Sequence, residues 1–216
     1  MKMLKSSLIA LALVVASCSS VIKKSSSLFE QANNVASKQE LIGGIVALYN
    51  DQGNFFCSGF VVSDTTVVTA AHCMGSMTDN VVGVKSGNSA TLGQFVGFNL
   101  RTDIATISGD FREFSKFIVE TDPAEDAYVN KDSLNLVSCG YPYGGKPVCY
   151  RLSNLEKHVD MIGASGQMYA GMSGGPVIDM NTGKVYGVNH AVTIGKVVFA
   201  PVVNLFNALR PIYQGE

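Results

Sequence analysis

The apolar residues of this chain come in short runs, and almost none keeps a helical period. From Gly44 the sequence reads "IVALY", "FFCSGFVVS" and "TTVVTAA", separated by "NDQGN" and "SD". Runs this short, rich in Val, Thr and aromatic residues and bounded by Gly, Asn and Asp, are strands joined by tight turns. The rhythm continues through "NVVGVKS", "LGQFVGF" and "IATIS", and after a gap through "LNLVSCGYP", "KPVCYRLS", "GGPVIDM", "VYGVNHAV" and "KVVFAPV". The gap is a more charged stretch, residues 110–132. An all-β fold is expected, with two sets of roughly six strands forming paired antiparallel six-stranded barrels. Only "NLFNALRPIY" places Leu205, Phe206 and Leu209 at helical spacing, which predicts a short C-terminal helix. Hydrophobic residues are 47% of the 216 and charged residues 15%, enough apolar surface for such a core. A formal net charge of −1 exerts no general pull on nucleic acid.

The first forty residues follow a different logic. Lys2 and Lys5 precede "LIALALVVA", Leu8–Ala16, an apolar run too short for a stop-transfer helix. The following "VASC" resembles the lipobox of bacterial lipoproteins. That resemblance implies a signal peptide over 1–17, cleavage before Cys18, lipidation of Cys18 and export to the cell envelope. With Ser19 next, it implies an outer membrane if the host has one. An ordinary cleaved signal peptide is the alternative. Residues 18–40, rich in Ser, Lys, Gln and Asn, read as a tether to a domain spanning 41–216. Loss of 1–17 leaves 14 basic against 17 acidic residues, and four cysteines: Cys57, Cys73, Cys139 and Cys149. An even number outside the cytoplasm reads as two disulfides. There is no Cys-x-x-Cys or His-x-x-x-His spacing, so a metal site has little support and no cofactor is expected.

Chemistry is concentrated around "GMSGGPVIDM", Gly171–Met180. An acyl-transfer serine needs a base in reach, a carboxylate to hold that base in one tautomer, and backbone N–H groups aimed at the developing oxyanion. Gly171 and Gly174 free the backbone on either side of Ser173, so the N–H groups of Gly171 and Ser173 can point the same way. Of three histidines, His72 in "VVTAAHCM" ends a Val-rich strand beside small Ala70 and Ala71. His158 in "LEKHVD" reads as surface. Asp103, in "RTDIATIS", heads an apolar strand where a carboxylate needs a waiting donor. Asp79 and Asp110 stand in turn-like contexts and are weaker candidates.

"TAAHC", "DIA" and "GMSGGPV", in that order, resemble the trypsin-like serine peptidases of the chymotrypsin fold. "GYPYGGKP" followed by "GMSGGPVIDMNTGKVYGVNHA" looks most like their bacterial glutamyl-endopeptidase branch. The spacings agree: 31 residues separate His72 from Asp103, and 70 separate Asp103 from Ser173. The resemblance, covering Gly44 to the C-terminus, implies a serine endopeptidase acting on protein or peptide. It makes His72 the general base, Asp103 its orienting partner and Ser173 the nucleophile, with Gly171 and Ser173 as oxyanion donors. It also implies a Cys57–Cys73 disulfide, leaving Cys139 and Cys149 to each other by elimination. The digestive branch pairs an aspartate before the nucleophile with a newly cut N-terminus; Met172 stands there and forms no ion pair. "LIGG", Leu41–Gly44, looks like the family's activation sequence but abuts the first strand. The expected substrate pocket is lined by Gln167, Met168, Asn189 and His190, within segments free of Asp and Glu, so Lys and Arg side chains are disfavoured. An inward His190 would favour Glu or Gln; an inward Asn189, a small or uncharged polar residue. The competing function class is a catalytically silent binding module at the envelope.

Overall fold

The computed structural model describes residues 42–120, 134–193 and 196–201. Six strands close into an antiparallel barrel: β1 (Ile45–Tyr49), β2 (Phe55–Ser63), β3 (Thr66–Ala70), β4 (Val81–Ser86), β5 (Ser89–Asn99) and β6 (Ile104–Gly109). Around it the order is β1-β2-β3-β6-β5-β4. A second lobe contains β7 (Leu136–Gly140), β8 (Val148–Arg151), β9 (Ser153–Lys157), β10 (Ile162–Ser165), β11 (Pro176–Asp179), β12 (Val185–Thr193) and β13 (Lys196–Pro201). These form a curled antiparallel half-barrel in the order β8-β7-β11-β12-β13-β10-β9. The fold is chymotrypsin-like and all-β.

The second lobe has seven strands where the sequence predicts about six. Expectation missed β9 and β10. In β9, "SNLEK", only Leu155 is buried, so an edge strand with one apolar residue leaves no periodic signal. β10, "IGAS", is four residues long with Ile162 as its one large apolar side chain. The C-terminal helix, the segment 1–40 and most of the charged connector lie outside the described residues.

Strands β1, β2, β3 and β6 of the first barrel are apolar on both faces because each serves two cores. In β1, Val46 and Leu48 fill the barrel with Val61, Val67, Val84, Phe95 and Ile107. Its alternate residues Ile45 and Ala47 join Phe60, Val68 and Ile104 against Tyr141, Ile178 and Val188 of the second lobe. Period-two alternation thus puts one side chain into the barrel and the next into the seam. The second lobe's own core holds Leu136, Ile162, Met172, Val177, Val197 and Phe199. After β6 the chain crosses between lobes with Phe111, Phe114 and Phe117 buried. Backbone bonds tie Phe117 N–H to the Val61 carbonyl (2.8 Å) and Glu120 N–H to the Val185 carbonyl (3.0 Å).

Both expected disulfides are formed. Cys57 on β2 bonds to Cys73 in the 3₁₀ turn Ala71–Ser76, with Cα atoms 6.1 Å apart. Cys139 and Cys149 face each other across the β7–β8 ladder. Closing loops of 16 and 10 residues restricts the unfolded chain by about 3 kcal/mol each in the chain-entropy picture.

Candidate active site

The β3–β6 ladder ends at the pair Ala70–Ile104. Just beyond it, the two strand ends place His72 and Asp103 side by side. Ala71 N–H donates to the Asp103 carbonyl at 3.1 Å, and His72 N–H to Asp103 Oδ1 at 2.8 Å. His72 Nδ1 lies 2.7 Å from Asp103 Oδ2. Asp103 adopts φ 53°, the left-handed region, a strain on the order of 1 kcal/mol that the backbone staple offsets. Its side chain is 7% exposed against 43% for His72. Burial opposes ionisation of Asp103, but hydrogen bonds from His190 and His72 outweigh it and hold the carboxyl well below the usual range. The carboxylate is therefore charged at neutral pH, and the His72 Nδ1 proton points toward it. Nε2 is the ring nitrogen left over from that contact. Asp79 and Asp110 are exposed and take no part; His158 is exposed as expected.

Ser173 lies in the turn leading into β11. Gly171 (φ 91°) and Gly174 (φ 81°) occupy the left-handed region that the turn requires. A Cβ on Gly174 would overlap Thr69 Oγ1 and the Ser58 carbonyl, so glycine lets the turn press directly on the first barrel. Ser58 N–H donates to the Ser173 carbonyl at 2.9 Å. The Ser58 hydroxyl donates to the Gly171 carbonyl at 2.7 Å and accepts from Tyr141 N–H at 2.8 Å. From below, Gly174 N–H donates to the Asn189 carbonyl, 2.8 Å. The carbonyls around Ser173 are thus committed, while the N–H groups of Gly171 and Ser173 have no acceptor among the described residues. Two unpaired N–H groups flanking a serine are what an oxyanion would use. Met172 between them is fully buried in the second core.

Three placements differ from expectation. Asn189 does not line a pocket: it has no exposed surface, and its amide donates to the carbonyls of Cys139 (2.8 Å) and Met172 (3.2 Å) while accepting from Ser138 Oγ (2.8 Å). It is a bracket under the Ser173 turn. Met168 is mostly buried in the second core, 8% exposed, whereas Gln167 is exposed. His190 is directed at neither wall of a pocket, because its Nδ1 hydrogen bonds to Asp103 Oδ2. The β12–β13 register shifts between Asn189 and Ala191, and this bulge re-aims His190. Ser58, Thr69 and the bracketing role of Asn189 carried no sequence signal, since each is one polar residue inside a strand pattern.

Ser173 Oγ donates to the His190 carbonyl at 3.4 Å and makes no hydrogen bond to His72. His72, Asp103 and His190 have ligand-type atoms within 4.8 Å of one another. Two nitrogen or oxygen ligands on one zinc ion, each ~2 Å from it, stand about 3.3 Å apart. The 2.7 Å contact here is hydrogen bonding. Cys57 and Cys73, which also neighbour His72, are tied up in their disulfide.

Residues 57–188 match the family model of the trypsin-like peptidase domain. No curated protein sequence matches the chain. Among solved structures it is similar to the active form of the Rv3671c protease from M. tuberculosis, with 20% identity and a TM-score of 0.64 over 82% of this chain and 84% of that one. It is also similar to the HtrA-type protease AlgW with a tripeptide, with 18% identity and a TM-score of 0.65 over 86% of this chain and 64% of that one. For the human pathogenic astrovirus serine protease the identity is 19% and the TM-score 0.56, over 74% and 89%. At these identities the likeness is one of fold.

Replacing Asn189 by alanine strips partners from Ser138 Oγ and the Cys139 carbonyl, both buried. Stability should fall by about 1–3 kcal/mol, read as a lower denaturant midpoint. A midpoint equal to wild type would show that the bracket bears no load.

Proposed function

The chain belongs to the trypsin-like peptidase family of serine-type endopeptidases, and we propose that Ser173 is its nucleophile, His72 its general base and Asp103 the group that orients the base. The observation that carries this reading is the 2.7 Å contact of His72 Nδ1 with a buried, ionised Asp103, beside a serine turn docked on the same barrel.

Catalysis begins with a rotamer change. The Ser173 hydroxyl leaves the His190 carbonyl, a long and weak bond at 3.4 Å, and turns to His72 Nε2. Its oxygen attacks the substrate carbonyl carbon while His72 takes the proton. The oxyanion of the tetrahedral intermediate accepts from Gly171 and Ser173 N–H. His72 returns the proton to the departing amine, leaving an acyl-enzyme, and a water activated by His72 releases the acid. Asp103 stays a carboxylate and stabilises the imidazolium.

The turn needs no new N-terminus in this reading. Met172 is held by apolar burial, with its N–H on the Tyr169 carbonyl at 3.0 Å. The end of the activation-like stretch is fixed to the first barrel, where the Gly44 carbonyl accepts from Val61 N–H and the Ile42 carbonyl from Ser86 Oγ. A protein form starting at Gln39 behind an N-terminal tag should therefore label with a fluorophosphonate as made, and its Ser173→Ala variant should not. Loss of the nucleophile removes several orders of magnitude in rate. Equal labelling of both forms would unseat Ser173. Labelling only after a cut before Ile42 would restore an N-terminal trigger, and no labelling of either would favour the silent binding module.

Kinship to the glutamyl-endopeptidase branch rests on the sequence around "GYPYGGKP" and Ser173, and acid specificity does not transfer with it. Asn189 is sealed below the turn and His190 is spent on Asp103. With no acid in 167–170 or 187–193 either, the site should prefer an uncharged residue before the cleaved bond. A peptide library should show that preference; strong cleavage after Glu, Lys or Arg would refute it.

Cleavage before Cys18 and lipidation of its thiol would anchor the enzyme to a membrane facing out of the cytoplasm. Several acyl chains hold a protein firmly where one does not. Wild type should sediment with membranes and Cys18→Ser should escape lipid processing. Recovery of both as soluble, unlipidated protein would refute the anchor.

A further inference from the structure

Asp103 carries two imidazoles. Oδ2 is hydrogen-bonded to Nδ1 of His72 and to Nδ1 of His190, and the two rings meet edge to face with centroids 5.6 Å apart. Simple alternation along β12 does not deliver this contact. His190 occupies the one position that the β12–β13 register skips, and its freed carbonyl is the acceptor that Ser173 Oγ uses. A single residue thus touches both the carboxylate and the nucleophile of the site.

We propose that His190 is a positioning residue for Asp103, and that its protonation switches the His72 base off. This rests on His72 acting as base and Ser173 as nucleophile. With His190 neutral, its Nδ1–H donates to Oδ2, fixing the plane of the carboxylate and leaving its charge for the His72 imidazolium. With His190 protonated, a cation already sits on that oxygen, and proton transfer from Ser173 would place a second cation beside it. Rate therefore falls with acid through two coupled protonations rather than one.

Among the described residues, the charges around His190 are few. Asp103 faces it from the turn before β6 and His72 from the turn after β3. On β13, Lys196 lies opposite Thr193 and is paired with Glu156. Arg101, two residues before Asp103, pairs with Asp160. On β11, Asp179 sits at the far end, accepting from Asn135 N–H. The hydrogen bond with Asp103 raises the proton affinity of His190 above that of an ordinary histidine, against the pull of burial. The switch thus lies above the ordinary histidine range, and His190 is charged below it.

The test is the rate of fluorophosphonate labelling against pH for wild type, His190→Asn and His190→Ala, each profile scaled to its own plateau. Asn places a non-titrating N–H the same number of bonds from Cβ as Nδ1. The acid limb of His190→Asn should lie below that of wild type, because the variant lacks the imidazole whose protonation silences the base. It should also fall with a one-proton slope, and the Asn plateau should exceed the Ala plateau. Superimposed limbs in wild type and His190→Asn would overturn the switch while leaving the catalytic reading intact. Labelling of Ser173→Ala at the wild-type rate would remove both. A second measurement does not depend on the variants folding: proton NMR of the Ser173→Ala protein should show two low-field imidazole N–H resonances that respond to one shared titration. A single such resonance would overturn the second hydrogen bond.

Discussion

The contact on which the site depends is the one between the Ser173 turn and the wall of the first barrel, and it exists because Gly174 has no side chain. Any Cβ there meets Thr69 Oγ1 and the Ser58 carbonyl. With hydrogen in that place, Ser58 reaches the turn two ways, N–H to the Ser173 carbonyl and Oγ to the Gly171 carbonyl, while its Oγ also accepts from Tyr141 N–H at the end of β7. Asn189 holds the same turn from the second lobe. The polar groups of the seam are buried and paired, which fixes one arrangement of the turn, since each alternative leaves a buried donor or acceptor unmet. The apolar cluster of Ile45, Phe60, Val68, Ile104, Tyr141 and Ile178 joins the two lobes in the same seam.

Function follows from which groups that network leaves out. The carbonyls of Gly171, Met172, Ser173 and Gly175 are committed, and the N–H groups of Gly171 and Ser173 have no acceptor among the described residues. The β3–β6 ladder runs out where His72 and Asp103 begin, so register in a barrel sets the spacing of an imidazole and a carboxylate. Placing Asp103 there requires a left-handed residue and a buried charge. Three N–H donors, from the His72 backbone and the two imidazoles, compensate for both. The last of them comes from β12 of the second lobe, so the carboxylate is itself part of what joins the halves.

Much of this is legible in the sequence. Short apolar runs between turn residues give the strands, and the strands that serve two cores, such as "IVALY", are the easiest to see. His72, Asp103 and Ser173 stand out because each is a polar residue at the edge of a strand or between glycines, where packing alone does not call for it. The strand β9 is hidden because it buries only Leu155. Ser58 and Asn189 are hidden for a related reason: they lie inside apolar runs, and their roles come from partners 113 and 50 residues away. His190 was visible as a residue but not as a partner of Asp103, since period-two reading cannot foresee the bulge that turns it.

The most direct measurement is a crystal structure of the protein after reaction with a fluorophosphonate. The expected result is a phosphorus atom bonded to Ser173 Oγ, with its oxygen within hydrogen-bond distance of Gly171 and Ser173 N–H and the turn in the same conformation as before reaction. A phosphorus atom on another side chain, or a Gly171 N–H directed away from the adduct, would contradict a preformed site built on the seam.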